Sequence, residues 1–332
     1  MSRPDDPSEK ESVMEKGPER LKVAAIQMTS IPYQVEENLQ KADRMVQEAA
    51  ARGARIVVLP ELFNTGYCYD WKNIKVAEDL SGRTARWFRT LSKKWGIYLI
   101  GGMIERDGGK DYNTLLLTSP QGRLASYRKR CLPLQEKCYF TRGDEPLLVD
   151  TPLGRIGFGI CADLLDEKIW ERFRNKVNLL IVSSAWPDFT TGGFLFAKTA
   201  VNLRISRMPE LLPKRLAESF GVPVAYAGLC GPFDSPLPLL YPYAVRSRFV
   251  GYSAVYDRGG VPVSVLKEEE GIAIGTVVTD PMPAEKRYVV DGAVRMMARL
   301  DRMLLTIPCR VYRMLNHPKR NGEALRKAPS SS

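Results

Sequence analysis

Short apolar runs alternate with segments of helical period, and the pattern runs through the chain twice, which a layered α/β architecture accommodates. VAAIQM (Val23 to Met28) is such a run, and Leu39, Ala42, Val46 and Ala49 then fall at helical spacing between Val35 and Arg52. Gly53 stops that helix, and RIVVLPE (Arg55 to Glu61) follows as a buried strand broken by Pro60. A second helix fits Arg83 to Trp95, before the strand IYLIGGMIE. NTLLLTSP and RLASYRK then read as antiparallel strands turning at 120–122. The second half has a hairpin turning at Pro152 to Gly154, a short helix around Glu167 to Arg174, and the strand NLLIVSSAW. A helical stretch from about Pro209 to Phe220, the strand VPVAYAG, a hairpin turning at Arg258-Gly259-Gly260 and the closing strand GIAIGTVVT complete it.

No linker and no repeat of fixed period divides this body. Residues 21–285 therefore read as one domain, preceded by a polar leader (1–20) of disordered composition and followed by a basic helix and tail (286–332). The leader has no apolar core and is not a signal peptide, and no stretch approaches the roughly 20 apolar residues that cross a bilayer. A cytoplasmic protein is expected, with its six cysteines reduced. The net charge of +11 is concentrated beyond residue 285, where eleven basic residues face three acidic ones. The amphipathic stretch Ala293 to Leu315, with Pro308 as a break, carries an apolar stripe of Val294, Met297, Leu300 and Leu304 that needs a cover.

One count narrows the chemistry. The only histidine, His317, lies in the polar tail, so a Ser–His–Asp or Cys–His machine has nothing in the body to run on. Neither a histidine cluster nor paired cysteines exist to hold zinc, and no metal or cofactor is expected. A hydrolase built on this chain would take a carboxylate or a lysine as its base.

Three candidate residues sit at strand ends, where α/β proteins place their chemistry. Glu61 follows Pro60, Cys161 ends RIGFGIC, and Lys129 ends S-Y-R-K. Singly, each has a structural reading, as a cap, a core residue or a surface charge. Together their surroundings resemble the nitrilase (carbon–nitrogen hydrolase) superfamily. V-V-L-P-E-L-F (Val57 to Phe63) resembles its glutamate motif. Y-R-K-R-C-L-P (Tyr127 to Pro133) resembles its lysine motif, with Cys131 where histidine is usual, and G-F-G-I-C-A-D (Gly157 to Asp163) its nucleophile motif. E-K-C-Y-F-T-R-G-D (Glu136 to Asp144) is similar to the segment bearing a second active-site glutamate. S-S-A-W-P (Ser183 to Pro187), R-L-A-E (Arg215 to Glu218) and the hairpin Gly251 to Gly260 resemble later blocks, in the family's order from about Leu21 to Asp280.

The resemblance implies a four-layer αββα sandwich of mixed sheets and an amidase-like hydrolase. In it Cys161 would attack a small amide, Glu61 would shuttle the proton, Lys129 would steady the oxyanion, and Glu136 would hold Lys129. Tyr67, Phe140, Ala162 and Trp186 are candidates for the substrate pocket, while Asp163 reads as a cap and Glu218 as a brace. Nitrile hydrolysis on the same fold is an alternative, although nitrilases commonly resemble C-W-E where this chain has C-A-D. A catalytically idle scaffold binding nucleic acid through the basic C-terminus is a third reading, and nucleic acid is the less expected partner. The resemblance also implies a homodimer or higher homo-oligomer; a peripheral membrane role for the C-terminal stripe is secondary.

Overall fold

A computed structural model describes residues 20–191, 199–240, 242–283 and 286–316. The expected leader (apart from Arg20), His317 with the basic tail, and part of the loop after Trp186 lie outside the described residues. The chain runs β1 (Arg20–Gln27), α1 (Val35–Ala51), β2 (Ile56–Val58), α2 (Asn73–Val76), α3 (Arg83–Trp95), β3 (Tyr98–Asp107), β4 (Lys110–Thr118) and β5 (Leu124–Arg128). It continues through β6 (Leu148–Thr151), β7 (Gly154–Ile160), α4 (Glu167–Glu171), β8 (Leu179–Ser184), α5 (Ala200–Ser206), α6 (Met208–Phe220) and β9 (Val224–Gly228). Then come β10 (Cys230–Pro236), β11 (Ala244–Val250), β12 (Ala254–Tyr256), β13 (Pro262–Val265), β14 (Gly271–Val278) and α7 (Gly292–Asn316).

Two six-stranded mixed sheets form, in the orders β14-β1-β2-β3-β4-β5 and β13-β12-β9-β8-β7-β6, with β10 and β11 as a separate pair. The sheets pack face to face, with α1 and α3 over the first and α6 over the second, which is the αββα sandwich that the resemblance implies. Strand β1 shows why its sequence reads as an unbroken apolar run. Val23 and Ala25 enter the core between the sheets, whereas Ala24 and Ile26 enter the core under the helices. Helix α3 ends on Gly96 and α6 on Gly221, both left-handed, the conformation in which glycine lacks the Cβ penalty.

The closing strand GIAIGTVVT completes the first sheet, all eight residues of β14 pairing antiparallel with β1. Two expectations are corrected. Pro308 does not end its helix: α7 is continuous from Gly292 to Asn316, since a helix anchored by side-chain contacts on both sides of a proline tolerates the one backbone bond it forfeits. Val294 does not belong to an exposed stripe, for it is buried in the core. Among the described residues no helix is long and apolar enough to cross a membrane.

Strand β7 is shaped by a glycine. A Cβ on Gly159 would lie 2.5 Å from Cη2 and 2.6 Å from Cζ2 of Trp170, and that fully buried indole donates through Nε1 to the Asp163 carbonyl at 2.8 Å. Gly159→Ala should therefore destabilise the protein by about 1–3 kcal/mol through overpacking, read as a lower urea midpoint at unchanged slope.

Candidate active site

Cys161 leaves β7 with φ at +48°, and Leu62, directly after Glu61, also has φ at +48°. Left-handed backbone is uncommon for residues with a Cβ and clusters at functional sites. At Glu61 the chain is also pressed close to its neighbour, since a Cβ on Gly102 would lie 2.6 Å from Leu62 N and 2.9 Å from Glu61 Cα. Lys129 follows β5, and Glu136 sits on the 3-10 turn Leu134–Cys138.

These side chains converge. Lys129 Nζ lies 2.6 Å from Glu61 Oε1 and 3.0 Å from Glu136 Oε2, with all three residues fully buried. Asn113, on β4, donates through Nδ2 to Glu61 Oε1 and to Glu136 Oε1, each at 2.7 Å. The Ala185 N–H donates to Glu61 Oε2 at 2.7 Å. Two carboxylates around one ammonium do not favour the fold: desolvation costs several kcal/mol per ion, which their attraction need not repay. A buried ionic cluster at strand ends therefore points to chemistry.

Cys161 is 4% exposed and within electrostatic reach of the whole cluster. Burial first, then the Glu61 carboxylate, pushes its thiol well above the ordinary value, against the pull of Lys129 and the Ser184 hydroxyl. The resting sulfur thus keeps its proton and needs a base at the moment of attack. Burial would strip Lys129 of its proton, but Glu136, Glu61 and Cys161 outweigh it and hold the ammonium well above its usual range. Burial pushes Glu136 up to about 7, with Lys129 opposing and Glu61 reinforcing the shift.

The other predicted residues divide. Tyr67 lies beside the charged cluster, its ring centroid 5.9 Å from Lys129 Nζ. Ala162 is the second residue of the 3-10 turn Cys161–Leu165, where the first N–H groups lack partners within the turn. Trp186 is buried one residue beyond the Ala185 amide, its indole tied to the Ile205 carbonyl at 3.0 Å. Phe140 is buried, but its N–H donates to the Glu136 carbonyl and its carbonyl accepts from the Arg313 guanidinium, and neither bond involves the side chains of Glu61, Lys129 or Glu136. Asp163 joins two motifs: it accepts from Tyr127 Oη at 2.8 Å, from the Cys131 N–H at 2.8 Å and from the Ile160 N–H at 2.9 Å. Glu218 lies half-buried on α6, 3.9 Å from Lys214. Sequence reasoning missed Asn113, Ser184 and the Ala185 amide. Asn113 carried a signal, since asparagine is depleted in strands and stands here before an apolar run. Among the described residues no group of histidine, cysteine and acidic side chains could hold a metal ion.

The model of the Carbon-nitrogen hydrolase family matches residues 22–282. A nitrilase of Pyrococcus abyssi is 34% identical over 147 residues, which cover 43% of this chain and 56% of that one. Omega-amidase NIT2 of Homo sapiens is 35% identical over 184 residues, 52% of this chain and 65% of the relative. The chain thus spans less than two thirds of the length of these relatives. XC1258 from Xanthomonas campestris, a CN-hydrolase superfamily protein, superposes with a TM-score of 0.63 at 22% identity, over 86% of this chain and 97% of that one. An amidase from Nesterenkonia sp. gives 0.62 at 23% identity, over 78% and 91%. A mutant of that amidase carries the acetamide moiety of fluoroacetamide covalently on its active-site cysteine. At these identities the solved structures establish a shared fold.

The raised Glu136 has a stability signature. Between the ordinary carboxylate value of about 4.3 and about 7 the native state holds a proton that the unfolded chain has lost. Its contribution is therefore full at low pH and falls as pH rises through that window, levelling above it. The stability difference between wild type and Glu136→Gln, from urea unfolding across pH 4 to 8, should shift against wild type over this interval and then stay constant.

Proposed function

This chain belongs to the carbon–nitrogen hydrolase family, and from that premise we propose that it hydrolyses the C–N bond of a small non-peptide amide or carbamoyl amide through a thioester on Cys161. The observation that carries this reading is the buried Glu61–Lys129–Glu136 cluster closed around one thiol. It supplies a base and a cation beside a nucleophile with no imidazole. Glu61 takes the thiol proton as sulfur adds to the carbonyl carbon. Lys129, with the N–H of Ala162, then stabilises the tetrahedral oxyanion, and losing one such donor costs about 3 kcal/mol of barrier. As the C–N bond breaks, Glu61 passes its proton to the leaving amine. Water then gives a proton to Glu61 and attacks the thioester; the acid leaves, and the proton returns to sulfur. Glu136 and Asn113 position Lys129 and Glu61, while Tyr67, Ala162, Trp186 and Phe140 are assigned to the pocket wall.

The omega-amidase relatives, which match a longer stretch of the chain than the relative named a nitrilase, support the amide over the nitrile as substrate. The family domain in this reading is residues 21–285, the protein acts in the cytoplasm, and it pairs with further copies through its outer helical layers.

With a pool of small amides, Cys161→Ala should lose turnover of every amide that wild type accepts. Glu61→Ala should lose turnover as well, since acylation and deacylation both pass a proton through Glu61, and unchanged turnover in Cys161→Ala would remove the proposal. Light scattering at micromolar concentration should return at least twice the 37.3 kDa chain mass; a monomer would refute the assembly alone.

A further inference from the structure

Helix α7 has two faces with different commitments. Its inner side is fixed: Asp301 accepts from the Leu134 N–H at 3.0 Å and from Lys137 Nζ at 2.5 Å. Arg295 pairs with Glu167 at 3.0 Å, and Cys309 is fully buried. These anchors prevent the helix from rolling to hide its outer side. On that side Met296, Leu300, Met303, Leu304, Ile307 and Val311 are 37 to 70% exposed. At about 100° per residue they occupy an arc of roughly 100° with no charge inside it. Contiguous apolar surface of this kind marks an interaction site.

We propose that this face docks on an anionic lipid surface. Arg299 and Arg310 stand eleven residues apart, about three turns, and therefore edge the same side of the apolar arc. Neither is ion-paired among the described residues, and both are exposed. The sequence beyond Asn316 adds Lys319, Arg320, Arg326 and Lys327 against Glu323 alone. An apolar face sunk to the acyl boundary with arginine at headgroup level is the chemistry of an interfacial helix, and each cation near an anionic leaflet adds about fivefold in binding. A second copy of α7 fits less well, since Asp301, the only acidic residue within the helix, is already committed to Lys137 and would leave Arg299 and Arg310 without partners. Nucleic acid would leave the six apolar side chains uncovered.

The test is co-sedimentation of the full chain with vesicles of phosphatidylcholine alone and of phosphatidylcholine mixed with phosphatidylglycerol. Circular dichroism confirms that each variant is folded. The full chain should partition onto the mixed vesicles and not onto phosphatidylcholine. Ile307→Asp should lower the partition coefficient by more than about tenfold, and Arg299→Gln and Arg310→Gln by about fivefold each. Three results would overturn the proposal: no binding to either vesicle, equal binding by Ile307→Asp, or a solution mass that halves in Ile307→Asp while wild type ignores vesicles. The last would give the face to a second copy. None of these outcomes bears on the chemistry proposed for Cys161.

Discussion

Everything in the candidate site depends on the Lys129 ammonium being held dry between two carboxylates. Its Nζ is 2.6 Å from Glu61 and 3.0 Å from Glu136. Remove the ammonium and two acids face each other without solvent, an uncompensated buried charge that costs about 3–5 kcal/mol. Remove either acid and the ammonium is left with a single carboxylate partner. The first sheet supplies Glu61, Asn113 and the strand leading to Lys129, whereas the second supplies Cys161 and the Ala185 amide. The cluster therefore spans the sandwich, and correct packing of the two sheets is also the condition for a correctly charged site.

Around it lies a layer of groups that do no chemistry but fix position. Asp163 ties the turn after Cys161 to the strand before Lys129 through Ile160, Tyr127 and the Cys131 amide. Helix α7 grips the Glu136 turn through Asp301 at Leu134 and Lys137, and through Arg313 on the Phe140 carbonyl. A buried polar network specifies one geometry only when nearly all its members are satisfied, and the two carboxyl groups at its centre have five donor contacts between them.

How far the sequence alone carries is clear at particular residues. The span of α3, Arg83 to Trp95, and the strands before Glu61 and Cys161 were legible because apolar periodicity and terminal glycines are local signals. The assembly of Glu61, Lys129 and Cys161 was suggested by motif resemblance, and letters alone give no distances between strand ends. Asn113 was overlooked because its role exists only across strands. The partner of β14 was not legible because hairpin spacing describes neighbours in sequence, while β14 returns to β1 across some 250 positions. Pro308 misled because helix propensity is outweighed where tertiary contacts hold both flanks.

The pairing of β1 with β14 also has a consequence for synthesis. A ribosome adds residues in order, and the strand that completes the first sheet begins at Gly271. Until it emerges, β1 presents an open edge of unpaired N–H and C=O groups, with Val23 to Ile26 already apolar on both faces. Every catalytic candidate has been made by then, yet the sheet beneath Glu61 is still incomplete. Such delayed closure of a non-local strand pair leaves a nascent chain exposed to wrong partners for most of its elongation.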